Sequence, residues 1–216
     1  MSNVWFASDL HIGHKRLMEI RNLADDVVEH DAILAQAWDS VVHKDDTVWI
    51  LGDISSGSKS GQLAALEWIS KRPGRKRLIL GNHDGPHPMN RDAHVLASAY
   101  WMVFDHVSTA ARIRVPLDAG GHTDVLLSHF PYVGDHTSED RHTQWRLRDE
   151  GKILIHGHTH SPLILSRHIH RRQIHVGIDA WGRLVSRDEI YDMVNYIHKE
   201  EVVHTDAVAE HQGVSG

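Results

Sequence analysis

The 216-residue chain contains no cysteine. Disulfides, thiolate nucleophiles and thiolate metal sites are therefore excluded, and the composition fits a reducing compartment. No stretch approaches the roughly 18 consecutive apolar residues of a membrane-spanning helix. Met1-Ser2-Asn3-Val4-Trp5-Phe6 lacks a charged n-region and an apolar h-region. No signal peptide is expected there, and a cytoplasmic location is the resulting expectation. Positive charge is also in deficit: 23 Lys and Arg against 29 Asp and Glu give a net charge of −6 with histidine neutral. That balance disfavours broad, sequence-independent binding to nucleic acid, though not a local basic patch. No repeat and no dividing linker is visible. Residues 1–200 are expected to form one domain and 201–216 a flexible, small and polar tail.

What is present is histidine, 21 of them. A single histidine is most often at the surface or satisfied in a core, so only those ending a strand suggest a site. The strands are short apolar runs. Residues 4–8, 47–51, 77–80, 124–127 and 153–155 are such runs, with further strands expected at 112–115 and 174–179. Helices are expected at 25–43 (Asp25 or Asp26 as N-cap), 62–71 and 186–197, the last with Ser186 and Glu189 as a capping box. Residues 91–104 look helical or mixed, and 134–150 look like a loop with a short helix near 143–149. The βαβ order implies an α/β fold with a mostly parallel sheet. Chemistry then collects beyond the carboxyl ends of the strands.

Five strand ends carry Asp9 and His11, Asp53, Asn82 and His83, His129, and His158 and His160. Carboxylate, imidazole and amide together suit divalent metals such as Mn²⁺, Fe²⁺ and Zn²⁺. Asp-x-His and His-x-His spacings let both side chains reach one side of an extended turn. Asp53 stands alone, and its two oxygens can bridge two metals, which can clamp an in-line phosphoryl displacement. Each piece alone has a plainer reading: Gly52-Asp53 as a turn, Gly81-Asn82-His83-Asp84 as turn chemistry, His129 as a packed histidine. Their joint occurrence at strand ends is what favours a site.

The ordered set Asp9-x-His11, Gly52-Asp53, Gly81-Asn82-His83-Asp84, His129 and Gly157-His158-Thr159-His160 resembles the calcineurin-like metallophosphoesterase superfamily. The likeness runs from residue 3 to about residue 190. Val176-Gly177-Ile178-Asp179-Ala180-Trp181, followed by Val185 to Ile190, is similar to a small bacterial and phage-type branch. The resemblance implies a four-layer αββα sandwich. It implies one metal on Asp9, His11, Asp53 and His160, and a second on Asp53, Asn82, His129 and His158. A metal-bridging hydroxide would be the nucleophile. His83 would protonate the leaving oxygen, its ring oriented by Asp84. Mn²⁺ is the first choice of metal, with Fe, Zn, Ni or Co as alternatives.

The motifs do not choose a substrate. Asp9-Leu10-His11-Ile12 and Gly52-Asp53-Ile54-Ser55-Ser56-Gly57 depart from the Asp-x-His-Gly and Gly-Asp-x-Val-Asp-Arg-Gly of the family's protein phosphatases. Nothing after residue 190 is long enough for the capping domain of its repair nucleases. The expectation is a phosphodiesterase for small nucleotide diesters, including 2′,3′-cyclic nucleotides. A phosphomonoesterase, a nuclease and a non-catalytic metal-binding scaffold are the alternatives. A small phosphoester, with a nucleotide the favoured kind, is the expected partner; nucleic acid is not favoured and no membrane is expected. His14 and His122 could approach the site, Trp145 and Trp181 could stack a base, and Arg167 to Arg172 could hold phosphate. Surface or packing roles rank higher for each, and His156 is expected not to ligate.

Overall fold

The computed structural model describes residues 2–213, with side chains described through residue 202. Two sheets stack face to face. The first has the order β4-β3-β2-β1-β9, built from His106–Ser108, Arg75–Ile79, Thr47–Ile50, Val4–Ala7 and Val185–Ser186. The second has the order β5-β6-β7-β8, from Ala110–Pro116, His122–Ser128, Ile153–His156 and Gln173–His175. β1 to β4 are mutually parallel, as are β6 to β8; β9 and β5 join antiparallel.

The alternation of strand side chains sorts the core into two clusters. Phe6, Trp49, Leu51 and Ile79 face the second sheet's Val125, Leu127, Ile153, Ile155 and Ile174. Their neighbours Ala7, Val48, Ile50 and Leu78 face outward, against α2 (Val27–Asp39), α3 (Lys59–Ser70) and α4 (His94–Trp101). Ile190, Val194 and Ile197 of α6 (Arg187–Gly213) join the inter-sheet cluster from its flank. The result is the α/β sandwich expected.

Capping fixes several boundaries. Asp26 accepts the Glu29 amide at the start of α2, and Ser58 accepts that of Gly61 at the start of α3. Ser186 and Glu189 bond reciprocally, as a capping box should. Other elements differ from expectation. α1 (Lys15–Arg21) and β4 are additional, and the helix sought near 143–149 is a single 3₁₀ turn, Thr143–Trp145. The late strand stops at His175, and Ile178–Trp181 forms a short helix, α5. α6 continues to Gly213, through residues expected to be a frayed tail. Residues 214–216 of that tail lie outside the described residues.

The sheets meet at their carboxyl ends. Ser8, just past β1, forms a parallel bridge with Gly177, just past β8. This junction brings loops from both sheets to one place.

Candidate metal centre

Backbone conformation marks the site before side chains do. Seven described non-glycine residues have positive φ: Asp9, His11, Asn22, Asp53, His142, His158 and His160. Five of these are expected site residues. Left-handed backbone costs an ordinary residue on the order of 1–2 kcal/mol, and such strain clusters where geometry serves function. The strained loops are cross-braced. The Asp9 amide donates to Gly52 O (3.0 Å), the His11 amide to Asp53 O (3.1 Å) and the Gly157 amide to His129 O (3.0 Å).

Several glycines of the site are required for space. A Cβ on Gly81 would strike the Asp53 carboxylate, and one on Gly157 would strike Ser8 and Asp9. Gly81 does not have positive φ. Its role is therefore close approach and not the sharp turn that its place in the sequence suggests.

Asp53 is central. His129 Nε2 lies 3.4 Å and His11 Nε2 3.8 Å from Asp53 Oδ2. On one side, Asp9 Oδ1 is 3.9 Å from both His11 Nε2 and His160 Nε2. On the other, Asn82 Oδ1 lies 3.1 Å from His129 Nε2 and 3.0 Å from His158 Nδ1. All seven expected ligands thus lie together around Asp53. Three groups among the described residues have metal-ligand spacing: Asp9, His11 and His160; Asp9, Asp53 and His129; and Asp135, His136 and His158.

The residues fit divalent ions on a further count. Asp9 Oδ1 and both ring nitrogens of His11 are buried without a hydrogen-bond partner. Buried polar atoms are normally satisfied, and a cation between them would satisfy Asp9 Oδ1 and His11 Nε2 together. The imidazoles are poised as ligands. The Leu51 carbonyl accepts from His129 Nδ1 at 2.7 Å, which leaves Nε2 to face the site. Burial drives His11 down to about 3 and, helped by the His129 charge, His158 to about 3. Burial acts to raise the Asp53 pKa, but the His129 charge and hydrogen bond outweigh it, and the carboxyl sits below its usual range.

Asp84 requires a correction. It was expected to orient the His83 ring. Its Oδ2 instead accepts the amides of Gly81 (2.7 Å) and Asp53 (3.0 Å), and its Oδ1 accepts that of Ile54 (3.2 Å). Asp84 therefore braces the loops after β2 and β3. The reason is its burial: with no solvent access, the carboxylate takes the amides that the two turns leave free. Burial and the Asp53 charge still push it up to about 7. His83 is exposed beside the cluster, its ring 5.6 Å from that of His11, and its amide donates to Asp53 Oδ1 at 2.8 Å.

Sequence reasoning missed Arg21, Asp179, Asp135 and Arg141. Asp179 accepts from His160 Nδ1 (2.9 Å) and Asp135 faces His158 Nε2 (3.2 Å). Asp179 lies in the quoted Val-Gly-Ile-Asp-Ala-Trp stretch, a usable signal; Asp135 lies in a polar loop that offers none. His14 does reach the site, its ring 5.3 Å from that of His11. His122 starts β6, at the end of the strand opposite His129. His156 Nδ1 bonds the Gly157 carbonyl. Trp181 donates to His175 O as a packing contact. In the basic stretch Arg167 pairs with Glu200, and Arg172 with Asp149 and Glu201.

Two sheets whose carboxyl ends converge on a cluster of histidines and buried aspartates define the class. The chain belongs to the calcineurin-like phosphoesterases, whose family model matches residues 2–162. It is similar to the Gene 66 protein of Mycobacterium phage L5, with 88% identity over 207 residues, covering 95% of this chain and 100% of that protein. It is also 65% identical over 199 residues to the Gene 66 protein of Mycobacterium phage D29, covering 92% and 99%. A solved structure from Aquifex aeolicus, a protein of unknown function, shares the fold at a TM-score of 0.62 and 22% identity, covering 90% of this chain and all of that one.

Proposed function

We propose that the protein is a two-metal phosphodiesterase acting on small nucleotide diesters, 2′,3′-cyclic nucleotides among them. The observation that carries the reading is the pair of positions around Asp53. Asp9, His11, Asp53 and His160 would hold one divalent ion, and Asp53, Asn82, His129 and His158 the other. Two such ions would supply an activated water and offset charge on the reacting phosphate.

The protein's own groups supply the rest. Asp53, fixed by the His83 amide, spaces the two positions. The exposed His83 ring, outside the ligand cluster, is placed to give a proton to the departing ester oxygen. Beside Asn82 and His83 opens a cavity of about 470 Å³, lined also by Ser56, Lys59, Asn90, Asp92 and Val95. Its walls are pinned by Gln62, which donates to Gly57 O (2.7 Å) and accepts from the Gly85 amide (2.6 Å). This space gives an organic group of the phosphoester room beside the His83 ring.

The test is turnover of bis-p-nitrophenyl phosphate, p-nitrophenyl phosphate and cyclic nucleotides with Mn²⁺. Diester hydrolysis exceeding monoester hydrolysis is expected. Robust monoesterase activity without any diester turnover would overturn the reading, and cleavage restricted to single-stranded oligonucleotides would make the protein a nuclease.

A further inference from the structure

Both histidines of the His158-Thr159-His160 stretch are gripped from behind in the same way. Each turns one ring nitrogen to the metal centre and the other to an aspartate, and each aspartate is held by an arginine through two parallel bonds. His158 Nε2 lies 3.2 Å from Asp135 Oδ2, whose carboxylate accepts from Arg141 Nε (3.2 Å) and Nη2 (2.9 Å). His160 Nδ1 lies 2.9 Å from Asp179 Oδ2, whose carboxylate accepts from Arg21 Nε (3.1 Å) and Nη2 (3.1 Å). The aspartates come from unrelated segments, the loop after β6 and the first turn of α5.

Such a chain has a defined physical effect. A carboxylate behind an imidazole fixes its tautomer and orientation and strengthens it as a ligand. A forked guanidinium fixes the carboxylate in turn.

The two chains differ in their anchors. The Arg21 side chain is 2% exposed. Its remaining donors reach the carbonyls of Asp9 and Leu10, so it also ties down the loop that presents Asp9 and His11. The Arg141 side chain is 36% exposed. Among the described residues, besides Asp135 it meets the exposed His136 ring, at 3.0 Å, and has no bond to a carbonyl of the ligand loops. The Asp135 carboxylate is itself buried, so only the guanidinium end of this pair is open to screening by salt, whereas the Asp179–Arg21 fork is buried at both ends. The donor sets differ in the same direction. The His160 position has two carboxylates, Asp9 and Asp53, and the His158 position has one carboxylate and the neutral Asn82.

We propose that Asp179–Arg21 and Asp135–Arg141 are positioning pairs that make the two metal positions unequal: the His160 position retains its ion, and the His158 position exchanges its ion under control of a salt-sensitive surface clasp. The inference rests on the two-metal reading above. Ligand burial alone would order the positions oppositely, because the His160 side chain is 20% exposed and that of His158 is 1%. The two orderings therefore make different predictions.

The experiment is calorimetric titration of the metal-stripped full chain with Mn²⁺, at low salt and at about 0.5 M NaCl, where the Debye length falls well below 10 Å. Two classes of site are expected. Salt should weaken the looser class several-fold and leave the tighter one unchanged. Asn82→Ala should abolish the looser class and so identify it. Asp135→Asn and Arg141→Ala should weaken that class alone by about 10–100-fold, and Asp179→Asn the tighter class by a similar factor. Arg141→Lys, which keeps the charge and loses the fork, should fall between. Arg141 is at the surface, so its variants fold, and a melting curve checks this.

Equal affinities for both ions, a tighter class that is lost in Asn82→Ala, or equal weakening of both classes in Arg141→Ala would overturn the inference. Binding of a single ion, or none, by the unaltered protein would instead sink the two-metal reading on which it stands.

Discussion

The Asp84 carboxylate holds the backbone of Asp53: its Oδ2 accepts the Asp53 amide at 3.0 Å while also accepting the Gly81 amide at 2.7 Å. Asp53 has positive φ, and its Oδ2 lies 3.4 Å from His129 Nε2 and 3.8 Å from His11 Nε2. Asp84 is thus the group that keeps a strained turn in place. Replacing it by alanine leaves three buried amides unpaired, at about 1–3 kcal/mol each where no water enters. Asp84→Ala is expected to lower unfolding stability by several kcal/mol in urea titration and to reduce bound metal. Asp84→Asn, which retains one acceptor oxygen, should be intermediate. A variant of normal stability and metal content, altered only in turnover, would restore the His83-orienting role.

His83 and Asn82 are neighbours with separate expected effects. Asn82 Oδ1 lies among ligand nitrogens, whereas His83 points its ring to solvent beside the cavity. Removing a general acid typically costs 10²–10⁴-fold in rate. His83→Ala should therefore lower kcat by about that factor with both metals retained, as measured by elemental analysis. Asn82→Ala should lose metal first and activity as a consequence. Equal metal loss in the two variants would refute the division.

The strand ends were legible because each is written locally: an apolar run, then a small residue (Ser8, Gly52, Gly81, Ser128 or Gly157), then a ligand type. Parallel strands buried on both faces need the run, close loop packing needs the small residue, and the chemistry needs the ligand. The elements that went unseen lack such local marks. α1 is seven residues long with no side-chain cap and no acidic first turn, so nothing announces it. β4 is three residues paired only to β3. Asp135 and Asp179 acquire their importance from His158 and His160, 23 and 19 positions away. Asp84 misled for the converse reason. Its adjacency to His83 suggested a pair, and burial turned its side chain to the amides instead.

Trp38 tests the helix-side core independently of the site. It is fully buried, lies edge-on to Trp68 at 6.2 Å, and donates from Nε1 to Pro73 O at 3.0 Å. Trp38→Ala should cost about 3–5 kcal/mol through lost burial and the cavity left behind. Trp38→Phe should cost less, mainly the bond to Pro73, on the order of 1 kcal/mol. Urea titration gives both values. The metal content of the folded fraction should not change, since this cluster lies on the far face of the first sheet.

The last prediction concerns protons that the metals must displace. Burial acts to lower the His129 pKa in the metal-free protein, but the Asp53 carboxylate outweighs it and the ring is pushed up to about 9 from 6.5. A folded value above the unfolded one means that the His129–Asp53 pair stabilises the metal-free fold fully below about pH 6.5. That contribution is lost as pH rises through about 9. A metal ligand must be a neutral ring, so binding at this position releases the proton. Apparent Mn²⁺ affinity should then rise by up to about tenfold per pH unit between those two values. Calorimetry in two buffers of different ionisation enthalpy should show proton release on binding. The metal-free protein should melt at progressively lower temperature over the same interval, while the metal-loaded protein, whose His129 no longer titrates, should not. An affinity that is flat with pH would mean that His129 is already neutral before the metal arrives, and that Asp53 holds its charge without a protonated partner.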